Sequence, residues 1–234
     1  MKNRIQIITT VIFLGLLFQS CEKDNLNGPD ARFYGEIRDS ETGELVEQEI
    51  INGSRIYYIE QGWANPEVQE MVIKKDGTFR NDMMFSASYK IVLNRGNYVP
   101  QDTLKMDITS GNNEHIFKVT PYLRILDPQI RIEGRKIIAT FKLKQITKNS
   151  VQRISLFAHA HEDVSNSMNT VNITQDLNRQ VTDNELFELS IDLDEYSNTL
   201  MKGKSYHFRI GAQSDGNETK YNYMKSVKLN IPTE

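Results

Sequence analysis

Alternating apolar and polar positions dominate the chain after residue 30. Runs in which every second residue is apolar predict half-buried β-strands, and no long stretch has the three- and four-residue apolar spacing of an amphipathic helix. The clearest alternating runs are residues 33–37, 71–73, 89–93, 137–143 and 206–210. Further strands are expected near 130–133, 136–146, 152–160, 185–193 and 223–231. Residues 166–184 lack the alternation, and we expect a loop or a short helix there.

Turn signals separate these runs, and the Asp76-Gly77 pair is typical of them. Many short strands joined by such turns predict an all-β fold, with two consecutive β-sandwich domains. Pro121 and Pro128 mark a boundary, because proline limits sheet pairing. We therefore divide the chain into sandwiches at 31–121 and 122–234, each about 100 residues, which is a common sandwich size.

The first thirty residues follow a different pattern. Lys2 and Arg4 precede an apolar stretch over 5–18, which is too short to cross about 30 Å of hydrocarbon. A small residue, Ser20, then precedes Cys21, the only cysteine of the chain. This pattern predicts a lipoprotein signal peptide over 1–20, a lipid on the Cys21 thiol, and a polar tether over 21–30. The alternative is an ordinary secretory leader with an incidental cysteine.

Composition narrows the classes of partner. Hydrophobic residues make up 38% and charged residues 25% of the chain, as in ordinary folded proteins. Loss of Lys2 and Arg4 with the leader takes the net charge from −3 to −5. An acidic chain without a basic block is poorly suited to neutralise phosphates, so we expect no nucleic-acid partner.

The histidines and acidic clusters are the candidates for metal ligands. His159 and His161 are two residues apart and would share a strand face, but no third ligand follows at a recognised spacing. Two acidic groups lack the ligand order of a calcium loop: Asp39, Glu41 and Glu44, and Asp192, Asp194 and Glu195. We therefore predict no metal and no cofactor.

The sequence also lacks the common catalytic motifs. The chain has no nucleophile elbow, no zinc-protease helix motif and no glycine-rich phosphate loop. Paired carboxylates of a glycoside hydrolase need only the right separation in space, so a hydrolase remains an alternative. The prediction is a protein without catalytic residues.

Aromatic residues give the main candidate for a binding site. Trp63, the only tryptophan, lies in a predicted loop, and Tyr57 and Tyr58 precede it. An exposed ring can stack on the apolar face of a sugar while neighbouring polar groups bond its hydroxyls. The alternative is that Trp63 folds back over one end of a sandwich core. Asp102-Thr103-Leu104 resembles the O-glycosylation signal of Bacteroidetes exported proteins, which makes Thr103 a modification candidate.

Two resemblances suggest the type of each sandwich. The G-x-I-x-D run at 35–39, Thr42-Gly43 and the later D-G-x-F run at 76–79 resemble the prealbumin-like sandwich of carboxypeptidase-regulatory domains. In the second half, Leu200, Gly203 and Tyr206 resemble the tyrosine corner of fibronectin type III and immunoglobulin-like sandwiches. We assign Gly77, Leu200, Gly203 and Tyr206 structural roles.

Taken in order, these motifs resemble a Bacteroidetes cell-surface lipoprotein family of unknown function from polysaccharide-utilisation loci. The resemblance covers nearly all of residues 21–234. It implies an anchored protein at the outer membrane, facing the exterior, where the acidic start at Cys21 resembles a surface-export signal. It also implies a glycan ligand and, as partners, the transporter and starch-binding-type lipoproteins of the same locus. The alternative role is a structural, assembly or spacer lipoprotein of a surface complex.

Overall fold

A computed structural model of the chain describes residues 27–233, so the leader and Cys21 lie outside the described residues. That span contains fifteen strands and no helix long and apolar enough to cross a membrane. The strands are β1 (Ala31–Asp39), β2 (Arg55–Glu60), β3 (Gln69–Val72), β4 (Thr78–Met84), β5 (Ala87–Leu93), β6 (Leu104–Ile108), β7 (Gly111–Val119), β8 (Leu123–Glu133), β9 (Lys136–Gln145), β10 (Val151–His159), β11 (Val171–Arg179), β12 (Leu186–Asp192), β13 (Ser205–Ser214), β14 (Tyr221–Tyr223) and β15 (Val227–Asn230).

The first sandwich is formed by the sheets β4–β1–β7 and β3–β2–β5–β6. Strand β1 pairs antiparallel with β4 but parallel with β7, so that Ala31 lies opposite Gly111 and Asp39 opposite Val119. Alternate residues of each strand face inward, as the period of two requires. The core between the sheets includes Phe33, Ile37, Ile56, Ile73, Phe79, Ile91 and Val119.

Gly77 closes the turn that leads into β4. Its φ is +81°, and a Cβ there would lie 2.7 Å from the carbonyl oxygen of Val46. Asp76 Oδ1 accepts hydrogen bonds from the Thr78 amide at 3.0 Å and from the Thr78 hydroxyl at 2.8 Å. Only glycine adopts this conformation without strain or a clash, so the turn depends on both residues.

The second sandwich consists of the sheet β12–β9–β8 and a five-stranded sheet in the order β11–β10–β13–β14, with β15 also paired to β13. Its core includes Phe141, Leu143, Leu156, Ile191, Phe208 and Ile210. Strand β8 runs through Pro128 because its pairing with β9 is interrupted by a bulge between Leu126 and Gln129. The predicted all-β architecture of sandwich domains is confirmed.

Two expectations about secondary structure were wrong. Residues 166–184 contain the nine-residue strand β11 and not a helix or only a loop. This strand forms the edge of its sheet, and its inward face is only weakly apolar: Val171 is buried, Ile173 and Leu177 are half-buried, and the polar Gln175 interrupts the alternation. The expected strand over 223–231 is divided into β14 and β15, which pair with different parts of β13.

The predicted tyrosine corner lies at the start of β13, in which Tyr206 is the second residue. The hydroxyl oxygen of Tyr206 accepts a hydrogen bond from the backbone amide of Met201 at 3.1 Å. Leu200 is buried in the second core, and Gly203 takes a φ of +71° and donates its amide to Ile231 at 2.8 Å. These contacts fix the loop between β12 and β13 to the residue that follows the last strand.

A polar junction fixes the first sandwich against the second. The buried guanidinium of Arg209, on β13, donates to Glu47 Oε2 at 2.8 Å and to the carbonyl oxygens of Gln48 and Met224 at 3.0 and 2.8 Å. The same group lies 4.3 Å from the ring centroid of Tyr223. Tyr223 in turn donates its hydroxyl to Glu49 at 2.5 Å.

A second set of bonds at the junction is formed by amide and ionic groups. Asn97 donates to the carbonyl oxygen of Tyr221 at 3.1 Å, and Asn222 donates to that of Asn97 at 2.8 Å. Arg124 forms two bonds to the Asp39 carboxylate, at 2.5 and 2.8 Å. Because buried polar groups are costly unless paired, this network favours one arrangement of the two sandwiches.

Candidate functional site

Trp63 lies in the loop over 61–68 that joins β2 to β3, at the end of the first sandwich opposite the junction. Gly62 takes a φ of +103° just before it, and the Gln61 amide donates to the carbonyl oxygen of Ser88 at 2.8 Å. The Trp63 side chain is 67% exposed. The ring therefore projects from the loop and does not cover the core.

Glu60 holds the ring of Trp63 in place. The indole Nε1 donates to Glu60 Oε1 at 3.0 Å, and the other carboxylate oxygen lies 3.4 Å from the hydroxyl of Tyr89. The pKa of Tyr89 is raised to about 12, mainly because the hydroxyl is buried and also because the Glu60 carboxylate lies nearby. Tyr89 thus stays protonated and also reaches the carbonyl oxygen of Phe85 at 3.0 Å. No sequence pattern singles out Glu60, because one i, i+3 contact between the end of β2 and the following loop has no periodicity.

An open cleft of about 420 Å³ lies beside the ring. Its walls carry two carboxylates, an amide pair and the indole, and the lining residues are Glu60, Trp63, Asn65, Glu67 and Gln69 with Ala64 and Pro66. An aromatic face next to carboxylate and amide oxygens can stack on a sugar ring and accept hydrogen bonds from its hydroxyls. The arrangement thus has the chemistry of a carbohydrate-binding cleft.

The two tyrosines before the loop do not join this cleft. Tyr58 is buried in the first core, where its ring packs edge-on against Tyr89 and its hydroxyl accepts from Asn81 at 3.0 Å. Tyr57 is half-buried on the opposite face of β2, and its hydroxyl accepts from Asn94 at 2.9 Å. Neighbouring strand residues point to opposite faces, so one ligand cannot stack on both. The placement of Tyr58 in a surface site is therefore corrected.

The other residues singled out from the sequence lie elsewhere. Thr103 is exposed in the segment just before β6, where its hydroxyl is accessible. His159 ends β10, and its Nδ1 accepts the backbone amide of His161 at 2.9 Å. His161 lies beyond the strand, so the two rings do not share a strand face. Over residues 27–233, no group of three or more potential metal ligands comes together.

The two acidic clusters that were weighed as calcium loops form ion pairs and turn contacts. Asp39 and Glu41 bind Arg124, and Lys144 also reaches Glu41 at 3.0 Å. In the second group, Asp192 accepts the amide of Asp194 at 2.9 Å. Arg135 lies 2.8 Å from Asp194.

With this geometry established, comparison with known proteins identifies the family. Two family profiles match: the N-terminal domain of the protein of unknown function DUF3823 over residues 31–120, and the domain of unknown function DUF3823_C over 123–228. The chain belongs to the DUF3823 family. No curated protein matches it.

Solved structures of similar proteins have the same fold. A "putative carbohydrate binding protein" from Bacteroides uniformis is 32% identical, with a TM-score of 0.82 over 87% of this chain and 100% of that one. Two DUF3823 family proteins, from Parabacteroides merdae and Bacteroides uniformis, are 18% and 16% identical. Their TM-scores are 0.75 and 0.76 over the same shares of each chain. Membership of DUF3823 thus confirms the predicted resemblance to a Bacteroidetes family of unknown function.

Proposed function

We propose that this DUF3823 protein is a non-enzymatic lipoprotein on the outer face of the outer membrane that binds carbohydrate for a polysaccharide-utilisation system. The single observation that carries the binding role is the exposed Trp63 ring, held by Glu60 beside an open polar cleft. The similar Bacteroides uniformis protein, described as a carbohydrate binder, supports the same ligand class. The leader pattern ending at Cys21 supports the anchored location.

The contacts of Glu60 support binding and not hydrolysis. A glycosidase needs one carboxyl group free to protonate the leaving oxygen and a second to act as base or nucleophile. The Glu60 carboxylate is already engaged by the indole of Trp63 and lies close to the hydroxyl of Tyr89. Its role in this proposal is to orient the ring.

Titration calorimetry of the mature chain against a panel of dietary and host polysaccharides tests this proposal. We expect at least one glycan to bind and Trp63→Ala to weaken binding by about ten- to a hundredfold, because a central aromatic contact is typically a hot spot. Trp63→Phe should retain part of the affinity. Leu186→Ala removes another exposed apolar side chain, in the second sandwich, and should change nothing.

Two results would count against the proposal. One is that no glycan of the panel binds, and the other is that a bound glycan is unaffected by Trp63→Ala. Incubation of a bound glycan with the protein should release no shorter oligosaccharides, since the proposed role involves no bond cleavage.

A further inference from the structure

Several loops meet at the end of the first sandwich that lies opposite the junction. The Asp30 carboxylate accepts the Ser86 amide at 2.8 Å, and the Asp30 carbonyl oxygen accepts the Gly111 amide at 2.9 Å. We call this surface the tether end and define it by residues 27–30, 61–68, 83–86 and 109–110. The Gln61 amide bonds the carbonyl oxygen of Ser88, two residues after Ser86. The Trp63 loop therefore lies at the same end at which the chain enters β1.

Two apolar side chains project from the tether end next to Asp30. Ala31 pairs with Met84 but Phe33 pairs with Asn81, so β4 carries one extra residue in a bulge. A bulge re-aims the side chains around it. Met83 is 70% exposed as a result, and Phe85, in the following turn, is 45% exposed.

Chain length limits how far this end can lie from Cys21. Nine peptide steps separate Cys21 from Asp30, and even a fully extended chain covers only about 32 Å in that number of steps. The nine-residue strand β1 spans eight steps and rises about 26 Å from the tether end to the junction. A lipid on Cys21 thus keeps the tether end near the membrane and allows the second sandwich to lie farther out.

We propose that the tether end rests on the lipid surface in which Cys21 is anchored, with Met83 and Phe85 entering the boundary between headgroups and acyl chains. The inference rests on the proposed lipid attachment and does not depend on carbohydrate binding. Two side chains bind a bilayer weakly on their own. A short anchored tether, however, holds them at an effective concentration on the order of millimolar, so that a weak contact is populated.

This orientation places the Trp63 cleft close to the membrane surface. The indole of Trp63 is connected to the backbone of Phe85 through Glu60 and Tyr89, at contacts of 3.0, 3.4 and 3.0 Å. When Phe85 touches the bilayer, Trp63 lies at headgroup level, where tryptophan is commonly found. A glycan in the cleft would be held beside the membrane and not at the outer tip of the protein.

The chain is suited to a direct test, because Trp63 is its only tryptophan and Cys21 its only cysteine. The mature chain is coupled through the Cys21 thiol to a maleimide-bearing phospholipid in phosphatidylethanolamine–phosphatidylcholine vesicles. Trp63 emission is then measured with phospholipids brominated near the headgroup end of the acyl chains, and with iodide in the water. Chemical coupling keeps the test independent of whether cells attach the lipid, which mass spectrometry of the cell-made protein decides.

We expect brominated lipid to quench Trp63 in the anchored protein and iodide quenching to fall about twofold relative to the free protein, as for a ring at the membrane interface. Met83→Ser with Phe85→Ser should reverse both changes. Met201→Ser is the matched control, since Met201 is 51% exposed but lies in the second sandwich.

Equal quenching of anchored and free wild-type protein would overturn the proposal, whatever the variants do. Reversal by Met201→Ser as strongly as by the Met83 and Phe85 changes would overturn it as well. Thermal unfolding of each variant confirms that its fold is intact. Failure of glycan binding in calorimetry of the free chain would leave this result unaffected, so the two proposals fail separately.

Discussion

The guanidinium of Arg209 and the carboxylate of Glu47 lie 2.8 Å apart at the junction of the two sandwiches, and Arg209 is only 1% exposed. Burial lowers the pKa of Arg209 and raises the pKa of Glu47, because it disfavours the charged form of each group. The carbonyl oxygens of Gln48 and Met224 also accept from Arg209. The pair therefore connects sequence positions 162 residues apart.

Arg209→Met should lower the free energy of unfolding by about 3–5 kcal/mol, because it leaves a buried carboxylate and three carbonyl oxygens without their donor. Calorimetry should then show two separate unfolding transitions as the sandwiches lose their coupling. Arg131→Met, which removes an exposed arginine paired with Glu133, should cost less than about 1 kcal/mol. Equal effects of the two variants would contradict the proposed coupling.

Asp39 should make the stability depend on pH in acid. Partial burial alone would raise the pKa of Asp39, but hydrogen bonds from Arg124 and the Glu41 amide outweigh it and hold that pKa below its usual range. The resulting stability is fully present above the ordinary pKa of aspartate, near 3.9, and is lost as pH falls through the lower folded value.

Urea unfolding of the wild type and of Asp39→Asn tests this at several pH values. The stability difference should be constant near neutral pH and shrink below about pH 4, where the unfolded aspartate becomes protonated. Arg124→Gln should remove the same acid-dependent part, since it removes the cation that favours the ionised form. A difference that stays constant down to pH 3 would argue against this assignment.

Tyr206→Phe should destabilise the protein by about 1–2 kcal/mol, because the backbone amide of Met201 loses its half-buried acceptor. Tyr34→Phe is the comparison, as Tyr34 is half-buried on β1 beneath the guanidinium of Arg80. It should cost less than about 0.5 kcal/mol, as for most surface substitutions. Chemical denaturation of both variants gives the answer, and a Tyr206 effect no larger than that of Tyr34 would remove the structural role.

Glu60→Ala should loosen Trp63 and reduce glycan affinity by up to about tenfold, since a side chain that must be ordered on binding costs about 0.5–1.5 kcal/mol. Glu60→Gln keeps an acceptor for the indole N–H and should retain most of the affinity. Trp63 fluorescence anisotropy in the free protein provides a readout without ligand: it should fall in the alanine variant only. If Glu60→Gln lost binding while anisotropy stayed high, the carboxylate would be contacting the sugar directly.

The sequence was informative where one face of a strand is buried. Alternation revealed strands such as β5 and β9, because their inward residues line the cores. It missed β11, since Gln175 interrupts the apolar face of this edge strand and only Val171 is fully buried. The alternation is also misleading at Arg209. Its neighbours Phe208 and Ile210 face the core, so the pattern predicts that Arg209 faces water, but the first sandwich covers that face of β13. Burial of this kind depends on tertiary contacts that alternation cannot record.

The candidate site was predictable only in part. Trp63 stood out as the single tryptophan in a loop, but its exposure depends on the Glu60 contact and on the turn at Gly62. The sequence also placed Tyr58 beside it, whereas the start of β2 sets the phase that turns Tyr58 into the core. A change of one residue in that phase would exchange the faces of Tyr57 and Tyr58.

The parallel pairing of β1 with β7 has a consequence for how the chain becomes structured. The first strand of the sandwich pairs with its last, across about eighty intervening residues. The chain must lose the conformational entropy of this long loop before the pairing contributes any stabilising free energy. This topology therefore folds slowly compared with one built from neighbouring strands. A nascent chain that ends before Gly111 lacks β7, the strand that completes the sheet. The first sandwich should therefore close late and as one unit, and it should be most open to proteases until its last strand has arrived.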